Sequence, residues 1–146
     1  MSDTLNGKPS TSFWIISAVA LVWNLLGFMM YLMQVTATPE ALAAAYSDEQ
    51  VAFIESVPVW AVSAFAIAVN AGLLGCLLLL LRKAWAVPVF IVSLIAVLIQ
   101  NVHSFVLGDA IGVFGVQTLI IQTIVVVIAG LLVWYSRSAK ASGWLS

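Results

Sequence analysis

Four stretches of about twenty residues, 13–35, 59–81, 86–107 and 116–135, contain no Asp, Glu, Lys or Arg. Wound as helices, each is long enough to cross the roughly 30 Å hydrocarbon core of a bilayer. Only 8% of the chain is charged and 64% is hydrophobic; a soluble domain carries about 25% charged residues. Such a chain cannot cover a water-facing surface. The expectation is an all-α membrane protein, a four-helix transmembrane bundle forming one integral membrane domain over residues 1–146.

The first span, Phe13 to Val35, has one face that is not oily. Ser17, Ala20, Asn24, Gly27, Tyr31 and Gln34 follow at spacings of 3, 4, 3, 4 and 3. That seam of small and hydrogen-bonding residues is what a membrane helix packs against other helices. The span is read as uncleaved, because its apolar run is too long for a signal peptide and lacks a clear small-residue cleavage site. The twelve residues before it are polar and expected to be frayed.

The polar segment 36–57 separates the first two spans. Thr38-Pro39-Glu40 reads as a helix start, with a threonine cap, a proline in the first turn and an acid near the positive end of the dipole. Ser47 and Gln50 fit a capping box. Two short interfacial helices are expected here; a water-exposed loop is the alternative.

On the second span, Ala64, Ala68, Gly72 and Cys76 form a stripe of small residues four apart, suited to close helix packing. Arg82-Lys83 ends it, and the short link to the third span makes the two helices antiparallel neighbours. Gly108-Asp109 closes the third span, a glycine-rich link runs to Gly115, and a short tail follows Tyr135.

Lys8, Arg82, Lys83, Arg137 and Lys140 fall on one side of these spans, and Glu40, Asp48, Glu49, Glu55 and Asp109 on the other. The positive-inside rule then makes both termini cytoplasmic. Trp14, Trp60, Trp85 and Trp134 lie at span ends, as an aromatic belt requires. Trp23 is near the midplane, where packing is its expected role.

Polar side chains within a membrane ask for partners. Asn24 and Asn70 fall near the middle of their spans, within two segments that echo one another (Ser17 to Asn24, Ser63 to Asn70). They are candidates to bond each other or a neighbouring helix, as structural glue or as a ligand-binding amide pair. Gln100, His103 and Ser104 share a face of the third span, and Gln117 and Gln122 fall in the same outer half of the fourth. His103 lies about 9 Å from the span centre toward the acidic side. These residues suggest a polar pocket beneath the 36–57 segment, either a solute site or a hydrated interior. His103 is expected to be buried and bonded to Gln100, Ser104 or a fourth-span glutamine, with Asp109 as a more distant partner.

A single cysteine excludes an intrachain disulfide, and one histidine without a carboxylate or cysteine motif gives no ground for a metal, haem or other cofactor. No hydrolase motif or phosphate loop appears, so no enzymatic activity is expected. A net charge of −1 without a basic patch argues against a nucleic-acid partner. The expected partners are the lipid bilayer, a second copy or a larger membrane complex, and a small polar solute.

Phe13-Trp14, Trp23-Asn24, Tyr31 to Gln34, Thr38-Pro39-Glu40, Trp60-Ala61, the Leu77 to Lys83 run, Gln100 and Gly143-Trp144-Leu145 together carry a resemblance. On these residues the chain resembles a family of small bacterial four-helix inner-membrane proteins often labelled sugar transporters. The resemblance implies a bacterial inner-membrane location. Two roles follow as expectations: a small-solute transporter or solute-binding membrane protein, or a non-transporting accessory subunit of a membrane complex. An inward-facing polar face on the third span favours the first, and an outward-facing one the second.

Overall fold

The computed structural model describes residues 9–146, which form helices and, among the described residues, no strand. Helix α1 spans Thr11–Thr36, α2 Pro39–Ala45, α3 Asp48–Glu55, α4 Val59–Leu80, α5 Ala86–Val102, α6 Ala110–Phe114 and α7 Val116–Ala141. A π turn, His103–Leu107, extends α5. Helices α1, α4, α5 with its π turn, and α7 are each long and apolar enough to cross a membrane. Lys8 and most of the polar N-terminal stretch lie outside the described residues.

The order of packing is α1 on α4, α4 on α5, and α5 on α7. Small residues on α4 make this possible. Ala64, Ala68, Gly72 and Cys76 are all buried, as are Ala61 and Gly75. A Cβ at Gly75 would stand 2.7 Å from the Phe90 ring, and one at Gly72 would collide with the Asn24 carboxamide. Both neighbouring helices therefore approach where α4 has no side chain. Ser93 Oγ donates to Ala68 O at 2.8 Å, joining α5 to α4 by a buried polar bond. The α1 seam also faces inward over most of its length: Ser17 and Ala20 are buried, Asn24, Gly27 and Tyr31 half-buried, and Gln34 at its end is exposed.

The tightest core lies toward the basic end. Phe13, Cys76, Leu79, Phe90, Leu132 and Leu145 meet there. Phe13 stacks on Tyr135 (centroids 6.3 Å apart) and meets Trp144 edge-on at 5.7 Å, so α1 closes against α7 at this end. Elsewhere α1 and α7 present large apolar side chains outward, the surface a bilayer covers. Trp23 belongs to that surface, 38% exposed, because it stands one position before the seam. The packing role expected of it is not observed.

Local signals explain the short elements. Thr38 Oγ1 accepts from Ala41 N at 3.1 Å, with Pro39 opening α2. Ser47 and Gln50 complete the capping box of α3, and Gln50 Nε2 also donates to Val113 O at 3.4 Å, fastening α3 to α6. The glycine-rich link is partly helical, because Asp109 Oδ1 accepts from Gly112 N at 3.1 Å and caps α6. Gly115, at φ 93°, then turns the chain into α7 through a conformation that glycine adopts without penalty. The tail is largely helical. Helix α7 runs six residues past Tyr135, carrying Arg137 and Lys140. It ends in a Schellman turn: Trp144 N donates to Ala139 O (3.0 Å) and Gly143 N to Lys140 O (3.1 Å), with Gly143 at φ 79°.

A cavity at the acidic end

Beyond the packed core, the acidic half of the bundle encloses a cavity of about 160 Å³. Its polar lining comes from three helices and the π turn: Gln34 from α1, Gln100 from α5, His103 and Ser104 from the π turn, and Thr118 and Gln122 from α7. Phe53 and Ile54 of α3 roof it, and Phe65, Phe105 and Phe114 add aromatic wall. Phe53 owes its position to the amphipathic pattern of α3 and to its edge-on contact with Phe114, 5.5 Å between centroids.

The π turn shapes the α5 side. Gly108 N reaches back five residues to His103 O at 2.6 Å instead of four, which widens the turn. Three consecutive residues, His103, Ser104 and Phe105, contribute to the lining. The His103 ring is half-buried, 5.6 Å from Trp60 in an edge-on contact and 6.2 Å from Phe53. The hydrogen bond expected to Gln100, Ser104 or a fourth-span glutamine is not formed. Asp109 does not pair with His103, since its carboxylate is committed to the cap of α6.

No Asp, Glu, Lys or Arg lines the cavity. Among the described residues, no side-chain hydrogen bond to another protein group occupies Gln34, Gln100, His103, Ser104, Thr118 or Gln122. The cavity thus presents amide, hydroxyl and imidazole groups, able both to donate and to accept, against an aromatic wall. Among the described residues no three His, Cys, Asp or Glu side chains gather in a way that could hold a metal ion.

Four residues singled out in the sequence, Gln100, His103, Ser104 and Gln122, therefore line one cavity. Gln117 is exposed and lies outside it. Asn101, in the same polar run, is half-buried outside the lining, with its Oδ1 unpartnered. Asn24 and Asn70 are not brought together. Asn24 Nδ2 donates to Ala20 O (2.9 Å) and Cys76 Sγ (3.3 Å), in the α1–α4 contact. Asn70 is exposed and donates to Ala66 O of its own helix at 2.7 Å. Asn70 stands two positions before Gly72, which is about 200° around the helix, so it faces away from the packed stripe. The echo between the two segments gives the asparagines no common site.

Two polar lining residues, Gln34 and Thr118, are not singled out for the pocket by the sequence pattern. Gln34 is the last member of the α1 packing seam. Thr118 stands four residues before Gln122, a spacing that puts both on one face of a helix; that signal was available.

No protein-family model matches the chain, and no curated protein or solved structure matches it.

Proposed function

We propose that this small multi-pass membrane protein binds a small uncharged polar solute in the cavity at its acidic end, and that it serves as a transporter or solute-binding protein. One observation carries the reading: six polar side chains surround a single cavity without bonding one another. Five of them are half-buried and Gln34 is exposed, so their donors and acceptors are open to a guest that pairs with several at once. The uncharged lining favours a neutral guest over an ion. The volume is close to that of the roughly 150 Å³ cavity known to hold benzene, which suits a molecule of about six heavy atoms.

The polar face of α5 turns inward, toward the cavity, and this favours solute binding over an accessory role. The small-residue stripe that motivated the accessory reading is already occupied within the chain by α1 and α5. Arg82, Lys83, Arg137 and Lys140 share the end opposite the cavity, which supports a cytoplasmic C-terminus and a cavity facing outward from a bacterial inner membrane. The role is binding or passage, not catalysis.

The test is a solute panel of short polyols and small amides, measured by thermal shift and by liposome flux on the purified protein. A neutral solute should raise the melting temperature of the native chain and not of a Gln100→Leu, Gln122→Leu double variant. If no member of the panel separates the two proteins, the reading fails.

A further inference from the structure

At the basic end, on the side facing the bilayer, α5 and α7 leave a groove of about 380 Å³. Leu94 forms one wall. The rest is a single face of α7: Gly130, Val133, Trp134, Arg137 and Ser138, at positions i, i+3, i+4, i+7 and i+8. Gly130 makes the notch. A Cβ there would meet nothing within 4 Å, so this glycine serves no close helix contact in the protein, unlike Gly72 and Gly75.

Arg137 stands two turns from the notch, about 10 Å along the axis. Trp134, 65% exposed, lies between them, where an interfacial aromatic sits at headgroup depth. Arg137 is exposed and, among the described residues, has no ion-pair or hydrogen-bond partner. The acidic described residues, Glu40, Asp48, Glu49, Glu55 and Asp109, all belong to the opposite end. Lys140 follows one turn after Arg137 on α7. The groove therefore has an apolar floor of acyl-chain character and an uncompensated guanidinium at its membrane-surface end.

We propose that this groove is a binding site for one anionic phospholipid. The Arg137 guanidinium and the Ser138 hydroxyl take the phosphate, guanidinium geometry being suited to bidentate contact with its oxygens. One acyl chain passes over Trp134 and Val133 and lies in the notch at Gly130 against Leu94. The basic end supplies the charge that selects an anionic headgroup over a zwitterionic one.

The experiment is native mass spectrometry of the delipidated full chain in detergent, titrated with phosphatidylglycerol and phosphatidylcholine. Phosphatidylglycerol should bind about tenfold tighter or better. Arg137→Gln should reduce it to the phosphatidylcholine level, while Lys83→Gln keeps the preference. Gly130→Leu fills the notch with a better helix former and should weaken both lipids about tenfold at a melting temperature unchanged or raised. Four results would each overturn the site: a preference that survives Arg137→Gln; a preference lost equally in Lys83→Gln, which would mean a diffuse field; normal lipid binding by Gly130→Leu; or full competition by soluble glycerol 3-phosphate, which would mean a headgroup site without a chain groove. A change in oligomer mass on Gly130→Leu would assign the groove to a second copy of the chain and likewise exclude the lipid.

Discussion

Arg82 Nε donates a 3.0 Å hydrogen bond to the carbonyl oxygen of Trp144, joining the end of α4 to the end of α7. Ser146 N donates to Arg82 O at 3.1 Å, and Ala84 N to Ser146 O at 3.0 Å. Each helix ends in a Schellman turn, and the two turns dock on each other. The α4 turn is unusual in having arginine at its left-handed position, φ 59°, where a side chain costs about 1–2 kcal/mol. The bond to Trp144 offsets that cost.

Arg82→Ala keeps the backbone penalty and loses the guanidinium, so it should destabilise by about 2–3 kcal/mol. Arg82→Gly loses the same bond but relieves the backbone and should be the milder by about 1 kcal/mol. Melting temperatures in detergent rank the pair. The opposite order would mean that the φ of residue 82 carries no strain.

The two midplane asparagines should behave differently. Asn70→Leu exchanges an exposed amide bonded only to its own helix for an apolar side chain facing lipid, and should be neutral or stabilising. Asn24→Leu forces a bulkier group against Gly72 and Cys76 and should cost about 1–3 kcal/mol. Equal melting temperatures for the two variants would contradict this packing.

Glycines at three positions give a graded series. Gly72→Ala displaces the Asn24 carboxamide and should cost about 1–2 kcal/mol, less in an Asn24→Ala background, where only Ser93 Oγ at 3.3 Å must give. Gly75→Ala presses on the Phe90 ring and should cost as much. Gly130→Ala meets open space and should gain up to about 1 kcal/mol from helix propensity. Chemical denaturation of the native chain, the glycine variants and the Asn24→Ala pair tests the order.

His103 makes no side-chain hydrogen bond to the protein, so His103→Leu and His103→Gln should melt within a few degrees of each other. Solute affinity should separate them. Leucine leaves the guest with an unpaired group, a loss of about 1–3 kcal/mol or roughly 5–150-fold in affinity, whereas glutamine can replace the imidazole. A leucine variant that binds as well as the native chain would remove His103 from the site.

Much of the bundle was legible because its signals are local or categorical. Charge-free runs mark the spans, and a small residue every fourth position on α4 marks the face that others approach. The capping box of Ser47 and Gln50 depends on four adjacent residues. Asn24 bonds a neighbouring helix, one of the two roles its polarity suggests, whereas Asn70 does not, because depth can be counted along a chain but azimuth cannot. Their environments depend on which side of α4 the neighbours occupy. The cavity was half-visible: Gln100, His103, Ser104 and Gln122 were marked by polarity within apolar runs, while Gln34 served equally well as a packing residue. The π turn left no mark in the residue types, since it depends on where Gly108 finds an acceptor. The folded-back tail was legible in principle from Gly143 followed by Trp144 and Leu145, a glycine C-cap with apolar residues behind it.

The π turn at His103 has a consequence for movement. It holds one residue more than the α pitch requires. Were that surplus to migrate one position along the helix, only the residue passed over would change its azimuth, by roughly the 100° of a single α step. Neither end of the helix need shift. A side chain at the edge of the turn can in this way be swung between the cavity and the lipid by exchanging one backbone hydrogen bond, a far smaller displacement than tilting a helix through the bilayer.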